Sequence, residues 1–335
     1  MRMRIAPIVL LTACTTEVPT SVATGQLEAW TAGPSLPTPR ANHCSAAIGD
    51  WVVVIGGNYK QANGEFTKTD EIHAAKLTGG ALGAWQLAGH TASPVTECSA
   101  TSDGERLFII DGIYDREQDG RQVFAGTFDE GTLSTLTSIA TLPGAVISSE
   151  ATVRDAQLLV MDTLLPNEGD QTVTLRRPID TDTWTTDDWG IGFRAQAEYA
   201  FSERFAYTLG GYLGGEGNPA STEVFVASIE NAAITNIRST APLPEPVMFG
   251  EAVAVDAWVF VVGGRSQVFG GTASTKVYAA QATADGTLGA WAEVSALPMG
   301  RTNHELVAVG DFLVLPGGAD AMGGDANVLI ARVRN

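Results

Sequence analysis

An all-β chain built from six repeats is the fold the sequence predicts, and three observations carry it. Short apolar runs such as WVVVIGG, RLFIIDG and WVFVVGG end in turn residues, which is how strands read, and long apolar stretches of helical period are missing. A glycine pair or a degenerate equivalent closes such a run six times, at Gly56-Gly57, Asp111-Gly112, Asp162-Thr163, Gly210-Gly211, Gly263-Gly264 and Gly317-Gly318. These pairs are spaced by roughly 50 residues, room for four strands per repeat, and six such repeats fit the blades of a β-propeller. The third observation is a closing motif, clearest in Gly80-Ala81-Leu82-Gly83-Ala84-Trp85 and Gly286-Thr287-Leu288-Gly289-Ala290-Trp291.

Taken in order, residues 1–14 place Arg2 and Arg4 ahead of the apolar core Ile8 to Leu11 and the small residues Thr12-Ala13-Cys14. That reads as an export signal, too short to span a bilayer. Leu11-Thr12-Ala13-Cys14 resembles the lipobox of bacterial lipoproteins, which implies a lipid on Cys14 and a chain anchored in the cell envelope. Thr15, where an Asp often marks inner-membrane retention, favours the outer membrane and leaves open whether the propeller is periplasmic or on the surface. Residues 15–24 are small and polar and read as a flexible tether, which leaves 25–335 for the propeller.

Blade 6 has no closing motif at the C-terminus, where the chain ends at Asn335 just after the apolar run Asn327 to Val333. The missing copy is Gly25-Gln26-Leu27-Glu28-Ala29-Trp30, so the N-terminal strand is expected to complete the last blade and close the ring. Pro-containing turns, among them Leu36-Pro37, Leu243-Pro244 and Leu297-Pro298, precede the repeats.

With the diglycines, the closing Trp and the turns Pro39-Arg40 and Gly300-Arg301 in place, residues 25–335 resemble the Kelch-repeat family of β-propellers. Repeats 1, 5 and 6 match well, repeats 2 and 3 lack the full diglycine, and repeat 4 is loose. The resemblance implies inner strands that line a channel, with a ligand-binding mouth formed by the residues just before them.

The excess of 38 Asp+Glu over 20 Lys+Arg gives a net charge of −18, which repels phosphate backbones and argues against nucleic acid as a partner. Counting back from the diglycines, with one inserted residue in repeat 2, aligns Cys44, Cys98, Glu150, Glu198, Glu251 and Glu305 in one column of the inner strands. Four carboxylates cannot be buried dry, so the column should face water or a polar channel. It can be a relic of repeat duplication, a set of hydrogen bonds holding the inner strands, or a cation site. Cys44 and Cys98 would lie on neighbouring blades, where a disulfide requires a Cα separation below about 7 Å. A free-thiol nucleophile fits poorly, because the neighbour His43 points to the opposite face of the strand.

Repeats 1 and 6 share a second pattern, Arg40-Ala41-Asn42-His43 against Arg301-Thr302-Asn303-His304. Closure would set these side by side near one mouth, with Arg194 of blade 4 as a further cation. The patch is a candidate for an anionic or sugar ligand, or else a set of turn-stabilising hydrogen bonds. His90 reads as a solvated loop residue. The Asp-rich turns at 115–119, 180–188 and 320–325 do not fit a calcium loop. No phosphate-binding glycine loop, Gly-x-Ser-x-Gly elbow or His-Glu-x-x-His pair is present, so neither a metal nor a cofactor is expected.

The leading expectation is a lipid-anchored, monomeric, non-catalytic binding module for a protein, peptide or glycan. The alternative is an enzyme of the sialic-acid mutarotase type, six-bladed Kelch-like proteins that this chain resembles. There Glu251 or Glu305 with His304 would supply acid–base chemistry, and Arg301 or Arg40 would hold a carboxylate. The related copper oxidases need a Tyr/His ligand cluster that is not apparent here.

Overall fold

A computed structural model describes residues 26–110, 112, 121–144, 149–164, 171–214, 220–267, 271–319 and 323–334. The expected signal segment with Cys14 and the expected tether lie outside the described residues, as do the Asp-rich turn at 115–119 and residues 320–322 of the one at 320–325. Among the described residues all regular structure is β, and it forms a six-bladed propeller. Blade 1 runs outward through Cys44–Ile48, Trp51–Ile55 and Glu71–Thr78 to the short outer strands Ala81–Leu82 and Gln86–His90. The innermost strands of blades 2 to 6 are Ser99–Ser102, Glu150–Arg154, Glu198–Phe201, Glu251–Val255 and Val307–Val309. They follow one another around the axis, and the sixth packs against the first.

The continuous apolar runs have a direct cause. Each second strand is covered on both faces, so alternate side chains enter different interfaces. Val53 and Ile55 pack towards blade 2 with Leu107 and Ile109, while Val52 and Val54 pack towards blade 6 with Val314 and Ile330. Six separate apolar clusters result, one at each blade-to-blade interface.

The N-terminal strand closes the ring, as expected, but the regular pairing falls later than Gly25–Trp30. Thr31–Ala32 pairs antiparallel with Val328–Arg332, and Leu27 makes a bridge with Val333. The Trp residues explain the offset. Each sits at the bend between the two short pieces of an outer strand and donates its indole N–H to a carbonyl beyond the preceding blade. Trp30 bonds Ser295 O at 3.0 Å, Trp85 bonds Pro34 O at 2.9 Å and Trp291 bonds Ala241 O at 2.9 Å. The motif is therefore a link between neighbouring blades, and it occurs at the closure because closure is one more blade junction.

The diglycines are the inner counterpart of that link. Gly57 and Gly318 have φ of 93°, and a Cβ on them would lie 2.8 Å from His43 Cβ and 2.6 Å from His304 Cβ respectively. Only glycine permits both the backbone conformation and the approach. The amide freed in this way bonds the next blade: Gly57 N to Val95 O at 2.8 Å, Gly264 N to Arg301 O at 2.8 Å, and Gly318 N to Arg40 O at 2.8 Å across the closure.

Candidate functional site: the channel and its waist

Two cavities lie on the axis. The smaller, about 90 Å³, opens at the end where the chain enters the inner strands; the larger, about 310 Å³, opens at the opposite end. All six blades line each of them, and Glu150, Tyr199 and Glu305 belong to both. Glu150 and Glu305 thus stand at the waist of the channel, with Glu198 and Glu251 at its smaller-cavity side.

Strand register corrects the expected column in one place. Cys44, Glu150, Glu198 and Glu251 each pair with the residue just before the diglycine or its equivalent, although in blade 3 the second strand continues through Leu164. In blade 2 that slot belongs to Ser99, opposite Ile110, and Cys98 comes one residue earlier. The offset is what permits a disulfide, because successive side chains on a strand face opposite neighbours. In-register side chains face the following blade: Glu198 Oε1 accepts from Gly250 N of blade 5 at 2.8 Å. Residues one earlier face the preceding blade, as His43 does towards Gly317 and His304 towards Gly263. Cys44 therefore faces forward and Cys98 faces back, and they are joined with a Cα–Cα separation of 5.4 Å.

All four waist carboxyls are pushed well above the usual range, in the first place by burial. Glu150 and Glu198 rise to about 8. Glu251 is raised also by the charge of Glu305, Glu150 and Glu198, and Glu305 by that of Glu150 and Glu198. Backbone N–H groups moderate three of them: Gly250 at Glu198, Ala252 at Glu251 and Ser45 at Glu305. Like charges and a low dielectric act in one direction, so at neutral pH the ring holds protons.

The arginines are placed differently from the expected mouth patch. Arg40, Arg194 and Arg301 are buried, and their guanidiniums turn away from the mouth into their own blades. Arg40 donates to Gly56 O, Glu71 O, the Glu71 carboxylate at 2.9 Å and His73 Nδ1 at 2.8 Å, which fixes His73 as a neutral acceptor. Arg194 bonds the Glu223 carboxylate at 2.6 Å, and Arg301 bonds the Asp325 carboxylate. Arg40 and Arg194 tie the diglycine end of their blades to an acid at the start of the third strand, and Arg301 reaches an acid shortly before that strand. Blade 5 has Val247 in the arginine position and Lys276 in place of that acid. The pairing across repeats is the sequence signal that identifies the arginines as intra-blade clamps.

His43 and His304 line the smaller cavity, 2% and 3% exposed. Burial, and then the charge of Arg40 or Arg301, lowers each to about 3. His43 approaches the carbonyl of Pro316 and His304 that of Val262, without hydrogen-bond geometry. Both are neutral imidazoles at any physiological pH. His90, half-exposed, faces Asp70 at 3.3 Å.

The mouth itself was not legible in the sequence beyond Asn42 and Asn303. Asn42, Glu97, Gln196, Phe249 and Asn303 occupy one position in blades 1, 2, 4, 5 and 6, all with left-handed φ between 51° and 57°. All five line the cavity. Such backbone costs roughly 1–2 kcal/mol per non-glycine residue. It is held by amides running from blade to blade: Glu97 N to Asn42 O at 2.8 Å, Asn42 N to Asn303 O at 3.0 Å, Asn303 N to Phe249 O at 2.9 Å. Asn303 Nδ2 also donates to Asn42 Oδ1 at 2.8 Å. Burial raises the Glu97 carboxyl against the opposing pull of Lys68, and Arg265 stacks on Phe249 at 4.2 Å. The mouth is thus amide-rich, with one aromatic face. Among the described residues no three His, Cys, Asp or Glu are grouped to hold a metal ion.

No family model matches the chain, and no curated protein matches it in sequence. Solved chains that match in structure number 522, a breadth that speaks for the fold and against reading a function from it. One of them, described as the structure of YjhT, superposes with a TM-score of 0.70 at 14% identity, covering 90% of this chain and 99% of that one. At this identity the likeness extends to the propeller alone.

Proposed function

We propose that this chain is a binding module: a propeller of Kelch-type repeats, held at a bacterial cell envelope through a lipid on Cys14, that takes a glycan, peptide or protein segment at the channel mouth. The observation that carries this reading is the five-residue left-handed ring. Backbone strain repeated in five blades points amide side chains and one aromatic into a cavity, a preorganised surface suited to polar ligands with an apolar face. The expected cationic patch no longer contributes, since its arginines are engaged within the blades.

A thermal-shift screen of the full chain against peptidoglycan fragments, oligosaccharides and peptides tests it. A ligand that raises the melting temperature of wild type but not of Phe249→Ala or Gln196→Ala supports the mouth. Equal shifts in both variants move binding elsewhere.

The mutarotase-type alternative draws support from one feature, the raised carboxyls of Glu251 and Glu305 in a cavity that His304 also lines. It lacks the carboxylate clamp, because Arg40 and Arg301 are committed to Glu71 and Asp325. Anomer exchange of sialic acid followed by NMR decides it: no acceleration over buffer ends that reading.

A further inference from the structure

The waist differs from the mouth in chemistry. Glu150, Glu198, Glu251 and Glu305 converge from four consecutive blades, and the influences acting on them are burial, one another and backbone N–H groups. Among the described residues no lysine or arginine acts on any of the four. Arg154, which reaches the larger cavity, is spent on the Val153 and Ser202 carbonyls and on the charges of Asp155 and Glu203 at the far rim. Glu97 has its own cation in Lys68. His43 and His304 stay neutral.

A second observation is independent of the carboxyls. Ser149 Oγ, on a residue 8% exposed, has no hydrogen-bond partner among the described residues, and Ser149 lines the smaller cavity. Ser45 Oγ, on a residue 7% exposed, is in the same condition at the larger one. Buried hydroxyls are ordinarily paired, so two that lack a protein partner on either side of the waist mark polar positions reserved for a ligand.

We infer that the channel waist is a binding site for a primary ammonium group, inserted through the mouth and held by the glutamate ring with the Ser149 hydroxyl as a further acceptor. This rests on the binding-module reading and names the chemistry of the group that reaches deepest. A tetrahedral –NH₃⁺ has three donors and no acceptor, which matches a ring of carboxylate oxygens. Its arrival favours ionised carboxyls, so association releases protons into solvent and strengthens as pH rises. A neutral polyol has the opposite preference, because it uses the protonated ring as donor. The ammonium can come from a lysine side chain or from an amino sugar, and both present the same group on a stem that the amides and Phe249 can flank.

The test is isothermal titration calorimetry on the full chain with two probes whose amines stay protonated at pH 8, Nα-acetyl-lysine methylamide and 6-amino-6-deoxyglucose, with glucose as the uncharged control. Titrations at pH 6 and pH 8, in two buffers of different ionisation heat, report protons released. Saturable binding of an ammonium probe, at least tenfold tighter at pH 8 and with about one proton released, is expected, together with roughly tenfold weakening in Glu251→Gln and in Glu305→Gln. The better of the two probes identifies the source as peptide or glycan. Glutamine keeps the shape and removes the buried acid, so both variants should melt no lower than wild type; should one not fold, the other and Ser149→Ala carry the comparison. No saturable binding of either probe at pH 8, equal affinity in both glutamine variants, or displacement of both probes by calcium chloride overturns the assignment. A mouth ligand that still binds in a Phe249-dependent way would in that case leave the binding-module reading intact.

Discussion

Arg40 shows how a side chain's neighbours decide its role. An arginine just ahead of an inner strand looks like a ligand contact when only its own strand is considered. Its partners Glu71 and His73 are 31 and 33 residues away on the third strand, a relation that no local window displays. Arg40→Met is expected to lower stability by about 3 kcal/mol in urea unfolding, because Glu71 and the carbonyls lose a charged donor. Binding at the mouth should survive in the folded fraction. Loss of binding with unchanged stability would restore Arg40 to the ligand site. The glutamate column was legible because a carboxyl repeated at one register position in four blades stands out from sequence alone. The left-handed ring was not, since Asn, Glu, Gln and Phe share no chemistry, and only the backbone unites them.

At the level of the strand and the blade, the same contrast holds. Diglycines and closing tryptophans were readable because each is tied to a junction repeated around the ring, and the residue type is dictated by what that junction requires. The slip from Ser99 to Cys98 arose where repeat 2 departs from the common spacing. The disulfide that this offset permits links inner strands 54 residues apart. Reducing it under denaturant, or replacing both cysteines by serine, should cost about 2–4 kcal/mol, measured as a shift in the urea midpoint with little change in slope. No change would mean that blades 1 and 2 are held fully by their apolar cluster. Removing residues 1–36 should have a larger effect than removing 1–24. The longer deletion takes away Thr31–Ala32 and the Trp30 link, and exposes the edge of Val328–Arg332. Aggregation in sedimentation velocity and a much lower melting temperature are expected for it alone.

For the whole molecule, pH acts through two sets of buried groups with opposite signs. The waist carboxyls have folded pKa values raised above the unfolded value of about 4.3, so the folded state binds more protons and their contribution falls as pH rises from there to about 8. His43 and His304 are lowered to about 3, so the unfolded chain binds the extra proton and their contribution falls as pH drops below about 6.5. The two windows overlap, and the net charge of −18 adds repulsion on the alkaline side. Four carboxyls outweigh two imidazoles through the overlap, so maximum thermal stability is expected well on the acid side of neutrality, near pH 4–5. In Glu251→Gln with Glu305→Gln the decline towards pH 8 should flatten. A melting temperature that is level from pH 5 to 8 in wild type would mean that the waist carboxyls titrate normally.

The strand that closes the ring also sets an order of events. Thr31 Oγ1 bonds Ile330 O across a separation of 299 residues, so the segment made first finds its partner last. Blades 1 to 5 can assemble from local hairpins as the chain emerges, whereas blade 6 must wait with an open edge until nearly all residues have been delivered. Were Cys14 lipidated as proposed, the waiting strand would stay near the membrane during that interval while the rest of the chain follows. Moving residues 26–36 to follow residue 334 would turn this longest-range pairing into a neighbouring hairpin. Such a permuted chain should reach the same ring sooner.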